Sequence, residues 1–145
     1  MATRSLIYLL DTNVLSALIA RSPPEQVLAW VAARPIDQLF TSHICQAEIL
    51  GGLASMPEGR RRRELEQAAD QMFEQDFRGR IFPFDGAAAR AFARLFAERR
   101  RSGRPIGPAD LMIGAIAIAG EAELVTRNVP DFQTDGLTVI NPWND

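Results

Sequence analysis

Acidic side chains interrupt apolar segments of this sequence at three places where core residues would be expected. The apolar run 6–10 stops at Asp11, after which the apolar residues take helical spacing. Glu48 lies within the segment HICQAEILGG, and Asp110 lies at the start of the most apolar segment of the chain. Because burial of an unpaired carboxylate is costly, these acids indicate either local capping roles or a shared chemical site.

A fourth group of polar residues follows the apolar run 122–126, in the segment LVTRNVPDF. It contains Arg127, Asn128 and Asp131. These residues, like the three acids, have local explanations: Asp caps helices, Asn forms turns, and an acid at a helix start interacts favourably with the helix dipole. Local roles and a shared site therefore have to be separated by where the residues fall in the fold.

The elements that must position these residues alternate along the chain. Apolar runs predict strands at 6–10, 39–41, 81–84, 122–126 and 137–140. Helical periodicity predicts helices at 12–20, 22–34, 44–56, 60–77, 87–101 and 108–119. This alternation predicts an α/β fold with a parallel sheet covered on both faces. Ligands bind beyond the carboxyl ends of the strands in such sheets, so we expect the acids to converge at one edge.

A group of carboxylates at one edge would need a cation. Two like charges about 4 Å apart repel by roughly 4 kcal/mol at an effective dielectric constant near 20. Oxygen ligands favour Mg²⁺ or Mn²⁺. Zinc is disfavoured because His43 and Cys45 are the only histidine and cysteine of the chain, and two such ligands are too few. We expect Cys45 to be a small core residue instead.

Composition sets only broad limits on function. The 145 residues are 47% hydrophobic and 23% charged, which fits one domain over residues 1–145. A single cysteine excludes an internal disulfide, and we expect no secretory signal and no membrane-spanning segment, hence a cytoplasmic protein. The net charge of −2 does not indicate a nucleic-acid binder. The arginine runs 60–63 and 99–101 favour solvated helix faces over an RNA track.

Five segments carry a resemblance to a known family. LLDTNVLSAL, AEILGG, PADLMIGAIA, LVTRNVPDF and VINPWND, in this order and spacing, resemble the PIN-domain family, and within it the VapC and FitB-like toxins of bacterial toxin–antitoxin pairs. The resemblance covers essentially the whole chain. It implies a three-layer α/β/α sandwich around a parallel sheet of four to five strands. It also implies an endoribonuclease that depends on Mg²⁺ or Mn²⁺ and hydrolyses RNA phosphodiester bonds with a metal-activated water.

The resemblance assigns roles to particular residues. The first three acids of the family match Asp11, Glu48 and Asp110. The fourth acid falls either at position 128, where this chain has Asn128, or at Asp131. Asp11 and Asp110 are the expected metal ligands, while Glu48 and Asp131 complete the expected catalytic set. The residues expected to position substrate or water are Thr12, Asn13, Arg127 and Asn128.

The resemblance also implies partners. Family members usually pair with an antitoxin whose tail blocks the acidic pocket, often form homodimers, and contact DNA only through the antitoxin. The alternative is a catalytically degenerate PIN-like binding subunit in which the acid at position 128 has been lost. A receiver-type signalling domain is rejected because the chain contains no lysine, and a haloacid-dehalogenase-like phosphatase is disfavoured because Asn13 stands where its second acid is needed.

Overall fold

A computed structural model describes residues 6–134 and 136–144. Its centre is a five-stranded sheet in which all strand pairs are parallel, so the predicted parallel sheet is confirmed. In chain order the strands are β1 (Tyr8–Leu10), β2 (Leu39–Ser42), β3 (Ile81–Phe82), β4 (Glu123–Val125) and β5 (Val139–Ile140). Their order across the sheet is β3-β2-β1-β4-β5.

Helices cover both faces of the sheet and complete the three layers. They are α1 (Thr12–Ile19), α2 (Glu25–Ala32), α3 (His43–Ala54), α4 (Arg60–Gln71), α5 (Gly86–Arg101), α6 (Pro108–Ala119) and α7 (Val129–Phe132). Helices α1 to α4 pack against one another, and α5 packs closely against α6. Because connections between parallel strands are right-handed and the chain runs first toward β3 and then back past β1 to β4, we expect these two groups on opposite faces of the sheet. No helix within the described ranges is long and apolar enough to cross a membrane.

The central strand β1 explains why the first acid is held so firmly. Tyr8, Leu9 and Leu10 are all buried, as expected for a strand with helices on both sides. Leu9 pairs with β2 through Phe40 and with β4 through Leu124. The residue that follows β1 is therefore fixed by two neighbouring strands.

The predicted helix 60–77 is not one regular helix. Helix α4 ends at Gln71 and continues as a π-helical turn, Met72–Asp76, in which the Phe77 N–H donates to the Met72 carbonyl at 2.9 Å. Met72, Phe73 and Phe77 are all buried. The spacing of these apolar residues suits both a regular and a widened turn, so the sequence pattern did not distinguish them.

Candidate active site at the carboxyl edge of the sheet

Asp11 lies at the junction of β1 and α1 and is only 3% exposed. Its backbone N–H still belongs to the sheet, donating to the Val125 carbonyl of β4 at 2.9 Å. Its carboxylate already serves the helix, because Asp11 Oδ1 accepts from the Thr12 N–H at 2.8 Å. Asp11 is therefore a helix cap, and this capping role coexists with its position beyond the end of the central strand.

The second carboxylate oxygen of Asp11 is held by a buried hydroxyl. Thr126 Oγ1 donates to Asp11 Oδ2 at 2.7 Å, and Asn13 Nδ2 approaches the same oxygen at 3.4 Å. The Thr126 hydroxyl in turn accepts from Asn13 Nδ2 at 3.2 Å and from the Asn128 N–H at 3.1 Å. Thr126 was not singled out from the sequence. Its only signal was a polar residue at the end of a buried strand that pairs with β1.

Thr12 links Asp11 to Glu48. The Thr12 backbone N–H donates to the capping carboxylate of Asp11, and the Thr12 hydroxyl Oγ1 donates to Glu48 Oε1 at 2.5 Å. The apolar neighbours of Glu48 left open whether it is buried or a surface residue of a helix, and in the structure it is exposed. The buried face of α3 contains Cys45, Ile49 and Leu53, and Glu48 lies off that face.

Cys45 lies beneath this group as a buried, neutral thiol. Its Sγ lies 4.0 Å from Asp11 Oδ1 and accepts from the Ser42 hydroxyl at 3.2 Å. Burial, together with the negative charge of Asp11, raises the pKa of the Cys45 thiol to about 11. The interpretation of Cys45 as a small core residue agrees with this position, and a neutral thiol of this kind adds no metal ligand.

The pKa of Asp11 is affected by the other acids, which shows that they lie near it. Burial raises the pKa of Asp11 from its ordinary 3.8 to about 6, although the hydrogen bonds from Thr126 and Thr12 oppose the shift. The charges of Asp110 and Glu48 make smaller contributions to the same rise. The structure therefore brings the three acids into one electrostatic group.

Asp110 extends this group to the fourth candidate. It lies half-buried in the first turn of α6, and its pKa is raised by burial and then by the charges of Glu48 and Asp131. A helix N-terminus would stabilise the carboxylate, so burial and the neighbouring acids outweigh the helix dipole here.

The two candidates for the fourth acidic position are used differently. The charge of exposed Asp131 acts on Asp110. Asn128 is also exposed, and its contribution to the site is its backbone N–H, which donates to Thr126. Both residues follow the carboxyl end of β4. Of the two, it is Asp131 whose charge raises the pKa of Asp110.

Arg99 was expected on a solvated helix face and is instead 5% exposed. Its Nη2 donates to the Asp131 carbonyl at 2.6 Å and to the Gln133 carbonyl at 3.3 Å. The correction has a simple cause: Ala88, Leu95 and Arg99 continue one buried face of α5. The guanidinium thus fixes the backbone that carries Asp131. The sequence did not indicate this role, because Arg99 is one of three consecutive arginines that together favoured a solvated face.

The arginines at the start of α4 also differ among themselves. Exposed Arg60 pairs with Glu64 at 2.9 Å, and partly buried Arg62 pairs with Glu66 at 3.1 Å. Arg61 instead lines a groove of about 240 Å³ between α1, α3 and α4. The same groove is lined by Thr12 and Glu48, so it opens onto the acidic group.

The donor set suits a hard cation held by few protein ligands. Among residues 6–134 and 136–144, no group of three or more His, Cys, Asp or Glu side chains is arranged so that it could hold a metal ion. Mg²⁺ usually takes one or two carboxylates and completes its octahedron with waters and substrate phosphates. Asp11 and Asp110, two carboxylates whose pKa values are raised in this group, are the residues that could hold such a cation.

Comparison with known proteins identifies the family. The family model described as PIN domain matches residues 8–132. The chain belongs to the PIN domain family. This match confirms the resemblance inferred from the five sequence segments, and it spans both the strands and the acids described above.

Named relatives of this PIN domain cover nearly the whole chain. It is 42% identical over 134 residues to "VapC ribonuclease Y4jK" of Sinorhizobium fredii, covering 92% of this chain and 96% of that protein. It is 33% identical to "Toxin FitB" of Neisseria gonorrhoeae, covering 94% and 99%. Among solved structures, "Structure of FitAB bound to IR36 DNA fragment" matches with a TM-score of 0.87 and 32% identity, covering 94% and 96%.

Proposed function

We propose that this PIN domain protein is a Mg²⁺- or Mn²⁺-dependent endoribonuclease and the toxin of a toxin–antitoxin pair. The observation that carries the proposal is the electrostatic group of Asp11, Glu48, Asp110 and Asp131 at the carboxyl edge of the sheet. Relatives named as a VapC ribonuclease and as a toxin support it.

In this proposal Asp11 and Asp110 hold the cation. A bound Mg²⁺ would neutralise developing charge on the phosphate and lower the pKa of water. The chain fixes the first ligand before any ion arrives, because Thr126 and the Thr12 N–H hold one oxygen of Asp11 each. Oδ1 keeps a second lone pair for the cation, since the Cys45 Sγ is as far as 4.0 Å away, whereas Oδ2 is also approached by Asn13 Nδ2 at 3.4 Å.

The other two acids, Glu48 and Asp131, are the candidates to accept the proton of the attacking water. Thr12 holds Glu48 by one oxygen, which leaves the other free to accept a hydrogen bond from water. Glu48 or Asp131 accepts the proton as the water oxygen bonds to phosphorus and one RNA oxygen leaves. Asn128 cannot accept that proton, so we place Asp131 rather than Asn128 in the fourth acidic position.

Two further groups would position the substrate. The amide of Asn13 accepts from the Arg127 N–H at 3.2 Å and donates to Thr126, which fixes the loop after β4 against the start of α1. Arg61 in the groove beside Glu48 would approach an RNA phosphate, because Arg60 and Arg62 are already paired. On this basis Arg61 is part of an RNA track, and the rest of that run is a solvated face.

The test is cleavage of structured RNA by purified, antitoxin-free protein with Mg²⁺, with Mn²⁺ and with EDTA. We expect cleavage to require the cation and to be lost in Asp11→Ala and Asp110→Ala. Asp70→Ala, at an exposed acid of α4 without a described partner, is the matched control. Equal cleavage by all three variants would exclude the proposed chemistry.

The proposed partner is a cognate antitoxin, with a homodimer of the toxin in the complex and with DNA contacted through the antitoxin. FitB occurs in a FitAB complex bound to DNA. An apolar groove of about 470 Å³, lined by Leu18, Val31 and Ile36 among others, offers a surface for such a protein, and Ile36 is 65% exposed. Ile36→Asp should reduce co-purification of the antitoxin, while Leu28→Asp, exposed on α2 outside the groove, should not.

A catalytically degenerate binding subunit is the second candidate, favoured by Asn128 alone. Calorimetric titration with Mg²⁺ or Mn²⁺ discriminates between the two. Absence of binding at millimolar cation would favour the binding subunit, whereas binding that requires Asp11 and Asp110 favours the nuclease.

A further inference from the structure

Arg127 carries a charge that no described carboxylate neutralises. Its guanidinium lies over the indole of Trp143, with its Cζ atom 5.1 Å from the ring centroid. Among residues 6–134 and 136–144 the Arg127 side chain has no ion pair. Arg127 directly follows Thr126, the hydrogen-bond donor to Asp11, so this cationic residue is next in the chain to the acidic site.

The indole beneath this guanidinium is a fixed support. Trp143 is half-buried and packs against the hydrophobic core, and its backbone N–H donates to Asn141 Oδ1 at 2.9 Å. The backbone of Arg127 is fixed too, through its N–H to Asn13. A cation–π contact between two anchored residues holds the guanidinium in place, while Arg127 remains exposed.

We infer that Arg127 and Trp143 form a nucleotide subsite in which an RNA base beside the scissile phosphate stacks on the guanidinium, with the indole as its support. Unpaired RNA bases are recognised by stacking on aromatic rings and on arginine planes. The inference rests on the proposed ribonuclease function, because it assumes that RNA reaches this edge. It assigns to Trp143 a role in substrate binding without placing it in the chemical step.

We take the group held here to be a base rather than a phosphate. The Arg127 Cζ lies 5.1 Å from the Trp143 ring centroid, and an arginine plane supported by a ring can stack with a base, whereas a phosphate contact uses only the N–H edge. A bound base and a bound phosphate can be distinguished by replacing Arg127 with lysine. Lysine keeps the charge that a phosphate needs and lacks the plane that a base needs.

The first experiment follows Trp143 directly. The chain has two tryptophans, and Trp30 is only 4% exposed, so a ligand that stacks at this edge should change Trp143 emission. Wild type and Trp143→Phe are titrated with a ten-residue oligoadenylate in Ca²⁺. The inference predicts a saturable emission change in wild type that Trp143→Phe lacks. Binding detected by anisotropy of a labelled oligoadenylate, with unchanged Trp143 emission, would overturn it.

The second experiment separates base from phosphate. Loss of one stacked base should weaken oligoadenylate binding roughly 5- to 150-fold, so Arg127→Lys and Arg127→Gln should weaken it similarly. Arg94→Gln, at an exposed arginine of α5 with no described partner, should bind as wild type. Wild-type binding by Arg127→Lys alone would show a phosphate contact and overturn the subsite.

Failure of the subsite can be told apart from failure of the proposed function. If wild type cleaves structured RNA in Mg²⁺ while Trp143 emission does not change during the oligoadenylate titration, only the subsite is wrong. If wild type neither cleaves RNA nor binds oligoadenylate, the ribonuclease proposal fails and the subsite fails with it.

Discussion

Replacing Asp11 with asparagine tests whether this carboxylate is destabilising when no cation is bound. The pKa of Asp11 rises from 3.8 to about 6 on folding, mainly because the group is buried. The folded protein therefore binds this proton more tightly than the unfolded chain does. The resulting stability is fully present below pH 3.8 and is lost as the pH rises through 6, a loss of roughly 3 kcal/mol.

The variant should also lose one hydrogen bond. An asparagine oxygen can still cap the Thr12 N–H, but its amide N–H₂ would face the Thr126 hydroxyl, which already accepts from Asn13 and Asn128. This loss costs about 1 kcal/mol. Asp11→Asn should therefore match wild type near pH 4.5, where roughly 1 kcal/mol of the ionisation cost is present, and exceed it by roughly 2 kcal/mol at pH 8.

Urea unfolding in EDTA at several pH values measures this difference. At pH 8 the variant's midpoint should lie roughly 1 M higher, given slopes of about 1–3 kcal/mol per molar urea. Mg²⁺ at 100 times its Kd should add roughly 2.7 kcal/mol to wild type and less to the variant, which closes the gap. A variant that is equally destabilised at both pH values would mean that ionisation of Asp11 carries no cost in the folded protein, and would refute this reasoning.

Three further variants follow from the same site. Asp110→Asn should raise the melting temperature in EDTA at pH values where the wild-type carboxyl is ionised, since it removes a carboxylate whose pKa is raised, and a fall of several degrees would instead support a helix-dipole role. Arg99→Met should stay folded yet slow RNA cleavage roughly 10- to 100-fold by releasing the Asp131 backbone, and this effect should disappear in an Asp131→Asn background. Arg61→Gln should weaken RNA binding and lower its salt slope by about one, whereas Arg63→Gln, which does not line the groove, should change neither.

The features that were predictable from the sequence are those with a local pattern. Asp11 stood out because it ends the continuous apolar run of a doubly covered strand and precedes helical spacing. Asp110 stood out because a proline opens an almost entirely apolar helix around it. The parallel order followed from alternating strands and helices, although strand ends such as 84 and 126 proved too long by one or two residues.

The features that were missed depend on contacts between distant parts of the chain. Thr126 matters because β4 lies beside β1, which brings its hydroxyl to Asp11 across 115 positions. Arg99 matters because its face of α5 happens to cover the α7 backbone. The apolar neighbours of Glu48 left both burial and exposure open, and its position on α3, facing the open groove and the Thr12 hydroxyl, decided for exposure.

The most direct measurement is a calorimetric titration of the purified, metal-free protein with Mn²⁺ at pH 7.5. We predict saturable binding at millimolar concentrations or below that disappears in Asp11→Ala and in Asp110→Ala and persists in Asp70→Ala. Wild-type protein that takes up no Mn²⁺, or binding that survives both site substitutions, would contradict the claim that these acids gather at the sheet edge to hold a hard cation.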